Sequence, residues 1–168
     1  MINCDHLKYQ IIIPALKHLA KYDPAMHIDS AVELLIGIAA HESKGGFYLH
    51  QVGGPALGIY QIEPATHRDV WDNYIRLRPR LQPVVLESAT NQSGFVQREH
   101  DLIHNLFYST VIARLLIWRA PDDLPGADDI WALAAYWKKY WNTELGKGKI
   151  DDFVDNYERY TTQKKSGF

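Results

Sequence analysis

Residues 31–40, AVELLIGIAA, hold one charged side chain, Glu33. A helix of that composition is apolar almost all round, and only burial on every side satisfies it. Any fold for this chain is therefore built around this segment. Ser30 with Glu33 three residues on reads as a capping box at its start. Gly45-Gly46 reads as its stop. Within it stands an anomaly, Glu42. Positions three, four and seven back are Ala39, Ile38 and Leu35, so helical spacing sets Glu42 on an apolar stripe. It also lies in the last turn, where the helix dipole disfavours negative charge. Both effects raise a carboxyl pKa and favour the protonated form near neutral pH. A local rule broken twice at one residue is what a functional site tends to look like. The spacing equally allows Glu42 to leave the helix end into water.

The other segments read as helices around that axis. Asp5 to Tyr22 carries Leu7, Ile11, Leu16 and Leu19 near helical spacing, with a kink expected at Pro14 and a break at Asp23-Pro24. Glu63-Pro64 opens a helix to about Ile75, since Pro suits a first turn. A short helix is expected around Val84–Ser88, followed by a loop. The run from Arg98 to Arg119 is the longest helical pattern and ends at Pro121. Asp128 or Asp129 caps a helix through WALAAYWKKYW, and a last helix covers Ile150 to Tyr160. Residues 161–168 read as a frayed tail. The sum is a mainly α, single-domain chain over residues 1–168, long enough for a real core. The near-repeat of Asp72-Asn73-Tyr74-Ile75-Arg76 with Asp155-Asn156-Tyr157-Glu158-Arg159 has no repeating flanks and is coincidence between amphipathic helices.

Composition removes several function classes. Eighteen basic against twenty acidic residues give a net charge of -2, no field to attract nucleic acid. Cys4 is the only cysteine, which rules out an intrachain disulfide and a cysteine-based zinc site. MINCDHLKYQ lacks a basic segment followed by a long apolar run, so no secretory signal is expected. Apolar runs fall far short of the ~20 residues a spanning helix needs, so no membrane insertion is expected. Work outside the cytoplasm then requires another factor for delivery. Aromatics stand at 12%, including ten Tyr and five Trp, rings that suit flat sugar faces or a core equally.

Residues 45–61 hold five glycines without periodicity, a long ordered loop or short hairpin. Within GGPALGIYQ, Gly58 lets backbone come close to a ligand, because no side chain intervenes. Tyr60 offers a ring and a hydroxyl. Gln61 offers a donor and an acceptor of the kind that holds a sugar hydroxyl or N-acetyl group. A raised-pKa acid at Glu42 suits protonation of a glycosidic oxygen.

His41-Glu42-Ser43 followed by Gly58-Ile59-Tyr60-Gln61 and Pro64-Ala65-Thr66 resembles the soluble lytic transglycosylases, the branch of the lysozyme-like superfamily related to goose-type lysozymes. The resemblance is strong over about residues 31 to 71. Ala134-Ala135-Tyr136 is similar to a late motif, with Trp137 where the family has Asn, and Tyr140 as an alternate. The resemblance implies a lysozyme-like domain with the Gly-rich loop lining a cleft. It implies a peptidoglycan-cleaving glycosidase acting between N-acetylmuramic acid and N-acetylglucosamine. Glu42 would be general acid and then base, giving a 1,6-anhydro product without cofactor. Ser43 would orient Glu42 or the sugar, Gly58, Tyr60 and Gln61 would line the cleft, and Tyr136 would tune Glu42. Glu63 stands where goose-type enzymes carry an acid that positions water, which would instead make a hydrolase. Its other role is a helix-start carboxylate favoured by the dipole.

The remaining constellations are weaker. His100 and His104 share a helix face but lack a third placed ligand. His41-Glu42 begins like HExxH, and Gly45 breaks the motif, so no metal is expected. Cys4 has no identifiable base. Trp131, Tyr136, Trp137, Tyr140 and Trp141 cover two helix faces, and Trp137 or Tyr140 is a candidate floor for a sugar. The expected setting is a bacteriophage lytic or virion-associated enzyme. A secreted effector or export-apparatus enzyme comes next. The expected partners are peptidoglycan glycan strands and, with them, phage structural proteins. A module of the same fold that only binds glycan or protein is the alternative.

Overall fold

The apolar helix is the axis of the molecule. Helix α3, Asp29–Ser43, has every residue from Leu34 to Ala40 buried, together with Ala31, Val32 and Ser43. A computed structural model describes residues 1–90, 98–143 and 146–162. In chain order the helices are α1 Cys4–His6, α2 Ile13–Leu19, α3, α4 Pro64–Val70, α5 Leu81–Ser88, α6 Arg98–His104, α7 Leu106–Trp118, α8 Ile130–Trp137 and α9 Ile150–Thr161. Helices α7, α8 and α9 and the Leu7–Ile12 segment pack around α3. Buried side chains from all of them form one contiguous core. The described residues contain no β-strand. Loop 44–63 is held instead by isolated antiparallel bridges, His50 to Leu57 and Leu57 to Ile62.

Three local outcomes differ from the sequence reading, each with a physical cause. Pro14, where a kink is expected, falls at a change of helical register. The preceding residues Leu7–Ile12 take a π-helical register, and Pro14 sits in the first turn of the α-helix that follows. The wider register absorbs the hydrogen bond that a proline cannot donate. The capping box at Ser30 does not form either. Helix α3 starts at Asp29 with no side-chain cap, and Glu33 is drawn outward instead. It accepts from Lys8 Nζ at 2.6 Å and from the Tyr157 hydroxyl at 2.7 Å, tying α3 to the first and last helical segments. Finally, the long helix expected from Arg98 to Arg119 is broken at Asn105. Its Oδ1 accepts from Tyr108 N at 2.9 Å, an N-cap, and its Nδ2 donates to Ser88 O at 2.9 Å. An asparagine that can cap a new helix and also satisfy a carbonyl of α5 competes with continued helix.

Elsewhere the expected elements stand within a turn of their places. Asp129 is the cap of α8, accepting from Ala132 N. Pro64 opens α4, which passes into a π-helical turn over Trp71–Ile75. The loop expected beyond Ser88 falls mostly, and the frayed tail almost wholly, outside the described residues. No helix among the described residues is long and apolar enough to cross a membrane.

Candidate functional site

Helix α3 ends in left-handed backbone at Lys44, which releases the chain beside Glu42. Ser43 closes that end. Its Oγ donates to Ala39 O at 3.1 Å and accepts from Gly46 N at 2.9 Å. It is fully buried, so its part is to cap the helix and not to meet a ligand. Glu42 itself is half-buried and lines an open groove of about 690 Å³. The groove takes Gln51, Gln61 and Ile62 from the glycine-rich loop, Glu63 and Thr66 from the start of α4, and Tyr140 and Trp141 from beyond α8.

The Glu42 carboxyl is pushed up to about 7 by loss of hydration, opposed by a hydrogen bond from Trp137. The indole Nε1–H of Trp137 donates to Glu42 Oε1 at 3.0 Å, holding the side chain in one place at the groove wall. Trp137 is in turn locked. Its ring lies 4.5 Å from that of His41 and 4.9 Å from that of Phe153, and it has no solvent exposure. Phe153 can reach it because Gly37 of α3 has no side chain. A Cβ there would come within 2.3 Å of the Phe153 ring. A relay of close packing thus runs from the middle of α3 through α9 and α8 back to the carboxyl at the end of α3. Burial pushes the His41 imidazole below its ordinary pKa, which disfavours its charged form. A cation beside Glu42, which would draw its proton off, is thus disfavoured.

Of the residues singled out from the sequence, Glu42, Gln61, Glu63 and Tyr140 meet at the groove. Gln61 adopts a left-handed backbone, and its Nε2 donates to Gly58 O at 2.8 Å, which leaves its carbonyl oxygen for a ligand. Glu63 is exposed at the start of α4. Tyr60 does not reach the groove. It is fully buried, with its hydroxyl 2.9 Å from Thr110 Oγ1, and burial raises its phenol pKa strongly. Tyr136 does not touch Glu42 either. Its hydroxyl donates to Asp122 O at 3.2 Å, and the tuning role falls one residue on, to Trp137. Burial also excludes Trp137 as a floor for a sugar, which leaves Tyr140. Gly58 is buried, and what approaches it is the protein's own backbone. A Cβ at Gly58 would lie 1.7 Å from Leu102 O.

Sequence reasoning missed Gln51, Thr66, Asn142 and Lys147 on the groove wall. Thr66 stood in the Pro64-Ala65-Thr66 motif without being assigned to the groove, and Lys147, set between Gly146 and Gly148, carried a weaker signal, a cation on a glycine-flanked loop. No cluster of three His, Cys, Asp or Glu able to hold a metal ion occurs among the described residues. No family model matches the chain, and neither a curated protein nor a solved structure matches it.

Proposed function

We propose that the chain is a lysozyme-like glycosidase that cleaves peptidoglycan, acting as a lytic transglycosylase with Glu42 as its one acid and base. The observation that carries this reading is a single carboxyl held near pKa 7, fixed by an indole N–H and opening on a polar groove. The groove volume lies in the range of small-ligand sites, and its open form suits an extended strand. Glu42 donates its proton to the glycosidic oxygen as the C1–O bond breaks. The resulting carboxylate then takes the proton of the muramic acid C6 hydroxyl as that oxygen bonds to C1. A 1,6-anhydro ring results and Glu42 is again protonated. Gln61 and Tyr140 would hold the strand, through an amide oxygen and an aromatic face. The cell wall is the proposed place of action, as for a phage lytic or virion-associated enzyme.

Glu63 on the same groove favours a second reading, a hydrolase in which its carboxylate positions water. Mass spectra of the muropeptides released from purified cell walls separate the two. Anhydro ends support transglycosylation, and reducing ends support hydrolysis. Release of neither would leave only a glycan-binding module and overturn the enzyme reading.

The pH profile of wall lysis follows from the same carboxyl. The acid form is the reactive one, so activity falls as pH rises through about 7. A single catalytic group gives that one limb, whereas a second, ionised carboxylate adds an acid limb and makes a bell. In Trp137→Phe the indole hydrogen bond to the ionised form is lost, and the alkaline limb moves to higher pH. An unmoved limb would show that another group titrates. Tyr60→Phe, by contrast, keeps wall-lysis rates at wild-type level. It costs about 1 kcal/mol in urea unfolding, the typical worth of one buried hydrogen bond.

A further inference from the structure

A second cavity, of about 350 Å³, shares no wall residue with the Glu42 groove. Arg114 of α7 lines it and is only 2% exposed. Its Nε donates to Met26 O at 2.9 Å and its Nη2 to Ala25 O at 3.2 Å, pinning the turn Pro24–Met26 to α7. Its Nη1 has no hydrogen-bond partner among the described residues, and the guanidinium forms no ion pair with a described carboxylate. Asp23 acts on it only as a more distant charge. Burial brings the pKa of this cation down to about 10, opposed only in part by the Tyr136 phenol and then by the Asp23 carboxylate. A buried guanidinium with an open donor, facing a cavity, is prepared for an anionic group.

The rim carries the opposite sign. Asp122 and Asp123 are both exposed there. Asp122 Oδ2 is paired with Lys139 Nζ at 2.7 Å, whereas Asp123 has no ion pair among the described residues. The Asp123 carboxylate lines the cavity from its exposed rim. The cavity is also lined by Trp118, whose ring centroid is 5.1 Å from the Arg114 guanidinium carbon, and by the apolar side chains of Ile28 and Leu124. A simple anion is repelled at this rim, a simple cation meets the guanidinium, and a neutral apolar molecule leaves Nη1 unpaired. We propose that this cavity binds a small zwitterion with an apolar body, a free α-amino acid in its simplest form. The carboxylate sits on Arg114, the ammonium on Asp123, and the side chain on Trp118 and Leu124. The site stands independently of the glycosidase reading.

The test is titration of the full, ¹⁵N-labelled chain with phenylalanine, following the Trp118 indole N–H signal. Phenylalanine is expected to shift it saturably, with a dissociation constant on the order of 1 mM or tighter. Phenylalaninamide lacks the carboxylate and N-acetylphenylalanine lacks the ammonium, and each binds at least about tenfold more weakly, a loss of one charged contact. Asp123→Asn, at an exposed position that leaves the fold intact, weakens phenylalanine about tenfold and leaves N-acetylphenylalanine unchanged. Arg114→Lys, if folded, abolishes the preference for a free carboxylate. Glu42→Gln alters none of these. Equal binding of the three compounds, or no saturable shift by about 10 mM, overturns the proposal.

Discussion

Glu42→Gln loses wall-cleaving activity by at least about a hundredfold, the usual scale for removing a general acid, and gains stability above neutral pH. The two effects have one cause. A glutamine oxygen still accepts the Trp137 N–H, so the groove keeps its shape while the proton to be transferred is gone. In the native protein the carboxyl is raised from 4.5 to about 7 by burial. The folded chain therefore holds a proton that the unfolded chain releases between those values. Stability must then fall as pH rises from about 4.5 to about 7, because the unfolded chain ionises freely there while burial keeps the folded carboxyl protonated, and the deficit levels off above about 7. At about 1.4 kcal/mol per unit, discounted for a group only half-buried, the deficit at pH 8 is about 2 kcal/mol. Glu42→Gln removes it, so its unfolding midpoint lies about 4–8 °C above wild type at pH 8. At pH 4 both chains are neutral at this position and the midpoints converge. Scanning calorimetry at the two pH values reads the difference. Equal midpoints at pH 8, or activity retained in the variant, would remove Glu42 from the proposed role.

That stability should be given up at one residue is consistent with how the site announces itself in sequence. Glu42 was legible because helix α3 is so apolar that its periodicity leaves no polar face for a carboxylate to occupy. The surrounding helices were legible for the same reason in milder form, each carrying an apolar stripe and a stop residue. Boundaries failed where a side chain competed with the backbone pattern. Asn105 offers a cap and a tertiary hydrogen bond together, and no periodic reading registers that choice. Glu33 matched a local capping motif and was taken by Lys8 and Tyr157, partners 25 and 124 residues away.

The groove wall was less legible than the acid, for a related reason. Tyr60 and Gln61 are adjacent, yet only Gln61 reaches the groove. A tyrosine is as well suited to a core with one hydroxyl partner as to a ligand surface, and Thr110 supplied that partner from 50 residues away. Trp137 read as a departure from a motif. Its hydrogen bond to Glu42 depends on Phe153 and Gly37 bringing α8, α9 and α3 together, and that is a product of packing. What sequence periodicity records is which face is buried. It does not record which buried residue lies behind another.

The clearest instance is Gly58, and a large stability effect is expected there. Its φ is +74°, a conformation that costs alanine about 1 kcal/mol. Beyond that cost, an added Cβ would stand 1.7 Å from Leu102 O and 2.7 Å from Leu102 C. Both atoms belong to the backbone of α6, where no rotamer change can make room. The loop cannot retreat cheaply either. Gly58 N donates to Leu49 O at 2.8 Å, and Gly58 O accepts from both Gln61 N and Gln61 Nε2. Gly58→Ala must therefore pull the turn 57–62 away from α6, exposing Ile59 and Ile62 and the core contact of Leu102. The cost is about 3 kcal/mol or more, the strain of overpacking added to that of the backbone. Gly53 provides the control. It has the same φ of +74° and nothing within 4 Å of an added Cβ. Gly53→Ala thus carries the backbone cost alone, about 1 kcal/mol. Urea unfolding of the two variants should differ by about 2 kcal/mol or more, and that difference measures the close approach of loop and helix. Because the same turn presents Gln61 to the groove, Gly58→Ala also lowers wall-lysis rates where Gly53→Ala does not. Equal midpoints for the two alanine variants would mean that α6 does not lie against the loop.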